Sequence, residues 1–201
     1  MARPTRDERK AELLAAILDY LMDKTLAELT FRSLADGLGM SAYVLVYHFG
    51  SRDQLINDIV VSIESRLDRM RNTDVRDIDR AAWRDFLLDS WQWTMAQRNR
   101  HLTRIEFEAT AQDIVAAEPR GTSQEHFRML HHKTRDWLMV QGIPEEFADT
   151  DARLFTSTFY GLQFDFVVMN EPEAATKAFE LMLTVFFNNL ETRLAAGGQG
   201  G

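Results

Sequence analysis

Apolar residues recur at intervals of three and four along most of this 201-residue chain. One such run in the second half has the spacing of a single helix face: Phe155, Phe159, Leu162, Phe166 and Met169. Residues that break helices are rare, because the chain has 4 prolines, and 4 of its 10 glycines lie in its last five residues. A β-rich protein needs more frequent turns, so the pattern predicts an all-α fold.

Side chains that can cap helices mark where the first helices begin. Thr5 with Glu8, and Ser51 with Gln54, have the spacing of a capping box, in which each side chain bonds the other residue's backbone. The first box predicts a helix that continues to about Lys24. The second predicts a helix with an apolar stripe at Leu55, Ile56, Ile59, Val60, Ile63 and Leu67.

Two short helices are predicted between those capping boxes. Thr30 is placed to cap a helix that ends at Leu38, and Ser41 is placed to cap one that ends near His48. Gly39 separates them. Four apolar side chains are spaced to lie between the pair: Leu34, Leu38, Met40 and Leu45. This arrangement is a helix–turn–helix, whose second helix can enter the major groove of DNA.

The same segment resembles the DNA-binding domain of the TetR family of bacterial transcriptional regulators. The residues that carry the resemblance are Thr30, Ala35, Gly39, Ser41, His48-Phe49, Gly50-Ser51, Arg52 and Leu55. The chain departs from the family pattern at Val46, where Tyr is usual, and at Tyr43, where a small residue is usual. The resemblance implies an N-terminal three-helix DNA-binding domain followed by a C-terminal helical domain for ligand binding and dimerisation.

The resemblance also implies DNA-contacting roles for particular residues. Base edges would be met by Ala42, Tyr43 and Val44, and Arg32 would reach a phosphate or a guanine. The sugar-phosphate backbone would be met by Ser41, Tyr47, His48 and Arg52. Since the second helix has no Asn, Gln, Lys or Arg between Ser41 and Gly50, base readout is expected to depend on thymine methyl groups and Tyr43.

The charge distribution predicts a weak electrostatic attraction to DNA. The net charge is −8, from 23 Lys and Arg against 31 Asp and Glu. Residues 1–75 contain 10 basic and 12 acidic residues, and only residues 1–10 are positive, with four basic and two acidic residues. We therefore expect few phosphate contacts and a modest dependence of binding on salt.

Two long helices near the carboxyl end, about 146–170 and 173–195, are apolar on several faces. Helices of this kind cannot both be half-exposed to water, which predicts a homodimer with two helices from each subunit. The residues expected at this interface are Phe159, Phe166, Phe179, Leu183, Phe186 and Leu190. Packing of these residues within one subunit is the alternative.

Aromatic residues in the middle of the chain either form the core or line a small-molecule pocket, as the resemblance implies. The candidate ligand-binding residues are Trp83, Phe86, Trp91, Phe107, Phe127, His131, Trp137 and Gln163. Such a lining would suit a hydrophobic or aromatic ligand. Asp165 interrupts an apolar run and is a candidate for the pocket, the interface or the surface.

Other classes of function are disfavoured by what the sequence lacks. Without cysteine there is no thiol nucleophile, disulfide or thiolate metal site. The five histidines do not form an HExxH motif or follow a Glu by three residues, so neither an enzyme nor a metal or other cofactor is expected. No stretch suits a signal peptide or a membrane span, which indicates a cytoplasmic protein.

The sequence thus predicts a DNA-binding transcriptional regulator, most simply a homodimeric repressor of a palindromic operator that a small ligand releases. The predicted parts are a DNA-binding domain at 1–50, a connecting helix at 51–75, a ligand-binding and dimerisation domain at 76–195 and a disordered tail at 196–201. The alternative is a helical adaptor that binds a protein partner and does not bind DNA.

Overall fold

The computed structural model describes residues 5–65, 72–119 and 121–197, and every regular element in those ranges is a helix. The predicted all-α fold class is therefore confirmed. Internal contacts divide the chain into two compact units, Met1–Arg66 with His101–Ser123, and Leu67–Arg100 with Gln124–Gly201. Residues 101–123 thus pack with the N-terminal helices, although the sequence analysis grouped them with the C-terminal domain.

The helices of the described residues are numbered in chain order. They are α1 (Arg6–Tyr20), α2 (Phe31–Leu38), α3 (Ala42–Phe49), α4 (Arg52–Glu64), α5 (Arg80–Met95), α6 (Gln97–Ile114), α7 (Thr122–Val140), α8 (Glu145–Met169) and α9 (Pro172–Gly197). Short 3₁₀ turns at Leu21–Asp23 and Leu26–Glu28 lie between α1 and α2. The segment Leu21–Leu29 is called the connecting segment below.

The predicted capping interactions are present at the starts of α1, α2, α3 and α4. Thr5 and Glu8 form a reciprocal capping box, as do Ser51 and Gln54. Thr30 accepts a hydrogen bond from the Ser33 backbone N–H at 3.0 Å. Because these side chains satisfy backbone donors that the helix leaves unpaired, local sequence determines where each helix begins.

The first unit has a core of aliphatic side chains from α1 to α4, the connecting segment and α6. Its fully buried members include Ile17, Leu21, Leu26, Leu34, Leu45, Leu55 and Ile56. The stripe predicted on α4 is buried from Leu55 to Ile63, and Leu67 lies outside the described residues. On α6, Ile105 is buried, whereas Ile114, at the end of the helix, is 77% exposed.

The second unit has an aromatic core. The indoles of Trp83 and Trp137 stack with their centroids 4.9 Å apart, and Trp91 stacks on Phe179 at 4.5 Å. Trp137 Nε1 donates to the backbone carbonyl of Ile78 at 2.9 Å. Trp91 Nε1 donates to Thr176 Oγ1 at 3.1 Å. Each of these two rings is therefore held by both stacking and a hydrogen bond.

The two longest helices, α8 and α9, pack along each other in the second unit. A buried pair near one end joins them, because Arg193 donates two hydrogen bonds to Asp151. Asn189 adds a third hydrogen bond to the same carboxylate at 2.9 Å. The last helix continues to Gly197, and the remainder of the predicted tail lies outside the described residues.

Candidate nucleic-acid interface

The tight turn between α2 and α3 is produced by glycine. Gly39 has φ of 64°, a left-handed conformation that glycine adopts without steric cost. Its N–H and that of Met40 both bond to the carbonyl of Ala35, which closes α2. Leu34 and Ala35 of α2 are buried, and α2 packs against α3.

Helix α3 buries one face and exposes the other. Leu45 and Phe49, four residues apart, anchor it in the core of the first unit. On the opposite side, Tyr43 is 76%, Val46 46% and Tyr47 55% exposed. Exposed apolar or aromatic side chains that are grouped in this way often mark an interaction site. These three residues are called the α3 face below.

Tyr47 has two further contacts. Its ring meets that of His48 edge-on, with centroids 5.0 Å apart. The guanidinium of Arg6, in the first turn of α1, lies 5.1 Å from the centre of the Tyr47 ring. This cation–π contact places a positive charge beside the α3 face. Arg6 and Val46 were not among the predicted DNA-contacting residues, although the spacing of Tyr43, Val46 and Tyr47 already indicates one side of a helix.

The remaining residues predicted to meet bases or phosphates differ in accessibility. Arg32 and Ser41 are exposed, whereas Ala42, Val44 and His48 are half-buried. Ser41 Oγ accepts a hydrogen bond from the Tyr43 backbone N–H at 3.2 Å and so caps α3. Among the residues of α3 that were predicted to contact DNA, Tyr43 and Tyr47 are the ones with large and exposed side chains.

Arg52, which was predicted to contact a phosphate, forms hydrogen bonds within the protein. Its Nε donates to the carbonyl of Leu29 at 2.9 Å, and its second terminal nitrogen donates to the carbonyl of Leu26 at 2.7 Å. Both acceptors belong to the connecting segment. The planar guanidinium of Arg52 thus bonds two backbone carbonyls at once.

Helix α6 holds the same segment from another direction. Glu108 accepts a hydrogen bond from the Leu26 backbone N–H at 2.7 Å. Arg104 pairs with Glu108 and donates to the carbonyl of Leu21 at 2.8 Å. The backbone that leads into α2 is thus bonded to α6 on one side and to Arg52 of α4 on the other.

The residues predicted to bind a ligand are distributed over both compact units. Phe107 belongs to the first unit, and the other seven belong to the second. Trp83, Trp91, Trp137, His131 and Gln163 are buried, and Phe86 and Phe127 are half-buried.

Several of these predicted ligand-binding residues have partners within the second unit. Phe127 packs on Tyr160 with ring centroids 4.0 Å apart. His131 Nε2 is 3.0 Å from Asp149 Oδ1. Gln163 donates to Thr94 at 3.3 Å. The structure therefore uses several of them as core residues of one subunit.

The six residues predicted at a dimer interface are all buried by the chain itself. Phe159, Phe166, Phe179, Leu183, Phe186 and Leu190 all belong to the core of the second unit. The interior packing that the sequence analysis held as the alternative accounts for these residues, because each already faces neighbours in its own chain.

A different face of α8 and α9 is apolar and exposed. It is formed by Leu154, Gly161, Phe164 and Val168 of α8 with Ala178, Leu181 and Val185 of α9. These seven residues are called the outer face below. Asp165 lies beside it and is also exposed. These residues are spaced three, four or seven apart, so the sequence already indicated an apolar face. It did not indicate which of the two apolar faces of each helix is covered by the core.

None of the helices in the described ranges combines the length and hydropathy needed to cross a lipid bilayer. No protein family model matches the sequence, and a comparison with curated proteins gives no match either.

Solved structures share the fold. A transcriptional regulator from Rhodococcus sp. Rha1 is 17% identical, with 90% of this chain and 96% of that chain covered and a TM-score of 0.68. NalD, the secondary repressor of the MexAB-OprM multidrug efflux pump in Pseudomonas aeruginosa, is 14% identical, with coverages of 92% and 97% and a TM-score of 0.65. A TetR transcriptional regulator from Legionella pneumophila is 15% identical, with coverages of 96% and 98% and a TM-score of 0.61.

These similarities extend over nearly the whole of each chain, and the predicted resemblance is confirmed at the level of fold. The chain has a TetR-type fold, with a helix–turn–helix near its N-terminus and a helical C-terminal part. The three similar proteins are described as regulators or as a repressor rather than as enzymes.

Proposed function

We propose that this protein is a DNA-binding transcriptional regulator in which α3 enters the major groove. The observation that carries the proposal is the α3 face, where Tyr43, Val46 and Tyr47 point away from a helix anchored by Leu45 and Phe49. A helix held in this way by a tight turn has the geometry of a recognition helix. Similarity of fold to transcriptional regulators supports the same function.

Phosphate contacts come from the edges of the α3 face. Arg32 is exposed on α2, and Arg6 lies over the Tyr47 ring on the side of α1. Because Arg52 is occupied by backbone carbonyls, we assign it to positioning the connecting segment instead of to DNA. The small number of available cations fits a binding constant that depends only moderately on salt.

The active form is a homodimer in this proposal. Two recognition helices must lie about 34–36 Å apart to enter successive major grooves of a palindromic site. The outer face offers the surface for pairing, because it is a contiguous apolar stripe on two adjacent helices. A Cβ added at Gly161 would meet no atom of the chain within 4 Å, which leaves room for a partner helix to approach closely.

A small hydrophobic or aromatic effector is proposed to bind in the second unit and to release the DNA. Polar groups are enclosed there among aromatic rings, which is the composition of small-molecule sites. Among the described residues, Trp83 Nε1 and Thr156 Oγ1 are buried without a hydrogen-bond partner. By linkage, an effector that weakens DNA binding must itself bind more weakly to the DNA complex, by the same factor.

The experiment that tests DNA binding compares three proteins on genomic fragments recovered by the wild type. The variant Tyr43→Ala with Tyr47→Ala removes two side chains of the α3 face and should weaken retardation of these fragments about tenfold or more. The control is Ile114→Ala with Val115→Ala, which truncates two side chains of the same unit that are at least as exposed. If the tyrosine variant retards these fragments as strongly as the control variant and the wild type do, the proposal is wrong.

Dependence on salt separates this function from the alternative of a protein-binding adaptor. An apolar α3 face could also fit a groove on a protein, and such binding would be nearly independent of salt. For DNA, the logarithm of the binding constant should fall linearly with the logarithm of salt concentration, and Arg32→Ala should reduce that slope by about one. A salt-independent complex with a protein, and no retarded fragment, would favour the adaptor.

A further inference from the structure

The chemistry of the α3 face limits what it can recognise, and the inference drawn from it rests on the DNA-binding function proposed above. Between Ser41 and Gly50 the chain has no Asn, Gln, Lys or Arg, the residues that form paired hydrogen bonds with adenine or guanine. The face offers instead the methyl groups of Val46 and the rings and hydroxyls of Tyr43 and Tyr47.

Val46 lies at one edge of this face. In an α-helix, with about 100° between successive residues, its side chain is about 60° from Tyr43, and Tyr47 lies on the other side of Tyr43. Its side chain is 46% exposed and carries only carbon and hydrogen. In the major groove, the one apolar group that distinguishes base pairs is the C5-methyl of thymine.

The neighbouring ring of Tyr47 is restrained. The His48 ring meets it edge-on at 5.0 Å, and the Arg6 guanidinium lies 5.1 Å from its centre. A ring held from two sides loses little conformational freedom when a ligand binds beside it. Tyr47 therefore presents a pre-formed ring on the α3 face, with a positive charge beside it that can meet a phosphate.

We propose that Val46, beside Tyr43 at the edge of the α3 face, recognises the C5-methyl group of thymine in the major groove. Specificity at that base pair then depends on burying a methyl group instead of on paired hydrogen bonds. Removal of the C5-methyl group from the base and truncation of the Val46 side chain should each weaken binding, and the two losses should not add, because they abolish the same contact.

The test uses DNA recovered by the wild-type protein from a random duplex pool and then amplified with either thymidine or deoxyuridine triphosphate. The two products have the same sequences and differ in the C5-methyl groups. The uracil product should bind the wild type at least about fourfold more weakly, the factor that corresponds to one buried methyl group. Wild-type binding that is equal for both products would overturn the proposal.

Val46→Ala distinguishes a direct contact from a change in groove shape. This variant should bind the thymine product about fourfold more weakly than the wild type does, and should bind the thymine and uracil products almost equally. The matched control is Val61→Ala on α4, where the valine is 47% exposed; this variant should behave as the wild type does.

An undiminished preference for thymine in Val46→Ala would overturn the inference while leaving DNA binding established. Failure of the wild type to recover any duplex would overturn the proposed function itself, and the inference with it. Thermal unfolding of each variant ensures that the compared proteins are folded, and a surface valine in a helix can be replaced by alanine without loss of the fold.

Discussion

Gly37 is required by a close contact and not by its backbone conformation. It lies inside α2, and a Cβ built on it would come within 2.2 Å of Cε2 in the Tyr20 ring. Glycine in a helix costs about 1 kcal/mol relative to alanine. The packing of the Tyr20 ring against α2 at this position compensates for the lower stability of the helix. The same reasoning applied to Gly161 gives the opposite result, because no atom of the chain lies within 4 Å of its added Cβ.

We expect Gly37→Ala to lower the free energy of unfolding by up to about 2 kcal/mol, because the overlap of the added methyl group with the Tyr20 ring costs about 1–3 kcal/mol and the better helix propensity of alanine returns about 1 kcal/mol. Gly161→Ala should raise it by up to about 1 kcal/mol, through helix propensity alone. Urea unfolding of both variants, at a protein concentration too low for self-association, measures the two effects. In a protein that already carries Tyr20→Ala there is no ring to overlap, so adding Gly37→Ala should no longer be destabilising. If Gly37→Ala destabilises the Tyr20→Ala protein as much as it does the wild type, this explanation is wrong.

At the level of helices and turns, the connecting segment is the least regular backbone of the first unit and is held by charged side chains. Arg104 and Glu108 of α6 bind its Leu21 carbonyl and Leu26 N–H, while Arg52 binds its Leu26 and Leu29 carbonyls. Backbone groups that are bonded outside a regular helix need such partners when they are removed from water. These contacts define the position from which α2 begins, and therefore the orientation of α3.

Glu108→Ala should destabilise the first unit by about 1–3 kcal/mol, because it leaves the Leu26 N–H and Arg104 without their charged partner. Amide hydrogen exchange at Leu26 should become faster, which a general loss of stability would not confine to this residue. Arg52→Lys should accelerate exchange in the same segment, since an ammonium cannot hold two carbonyls in the same fork.

Glu12→Ala is the control for this prediction, because it breaks the pair of Arg9 with Glu12, which is 2.8 Å long and about half exposed at both ends. Exposed pairs of this kind contribute less than about 1 kcal/mol. Equal effects of Glu12→Ala and Glu108→Ala on stability and on exchange at Leu26 would rule out a special role for α6 in holding the segment.

For the molecule as a whole, the distribution of apolar surface on α8 and α9 decides how the chain can associate. The predicted interface residues, such as Phe166 and Phe179, complete the core of one subunit. The outer face leaves Phe164, Leu154 and Leu181 more than half exposed. A stripe of this kind on two packed helices is suited to pairing with its own copy around a two-fold axis.

If the outer face forms the proposed dimer, Phe164→Glu should give a folded monomer. A carboxylate on each subunit would face apolar surface and the symmetry-related charge, which is costly to bury. Sedimentation equilibrium measures the mass, and the dependence of melting temperature on protein concentration should disappear. Ile114→Glu, an equally large change at a more exposed site, is the control and should leave the dimer intact. A dimer that persists in Phe164→Glu would exclude the outer face as the interface.

Local sequence was sufficient to predict the helix–turn–helix, because its signals act within a few residues. Thr30, Ser41 and Ser51 bond backbone groups two or three positions away, and Gly39 adopts the conformation that ends α2. The period of the helix separates Tyr43 and Tyr47 from Leu45 and Phe49, and the family resemblance indicated which of these two sides is exposed.

Only tertiary packing could decide the roles of Arg52 and of the apolar faces of α8 and α9. Arg52 bonds carbonyls 23 and 26 residues earlier in the chain, a distance over which sequence spacing carries no information. A helix with apolar residues on two sides satisfies the same periodic pattern whichever side is covered. The core covers Phe159 and Phe166 and leaves Phe164 exposed, because burial depends on which neighbours the fold brings into contact.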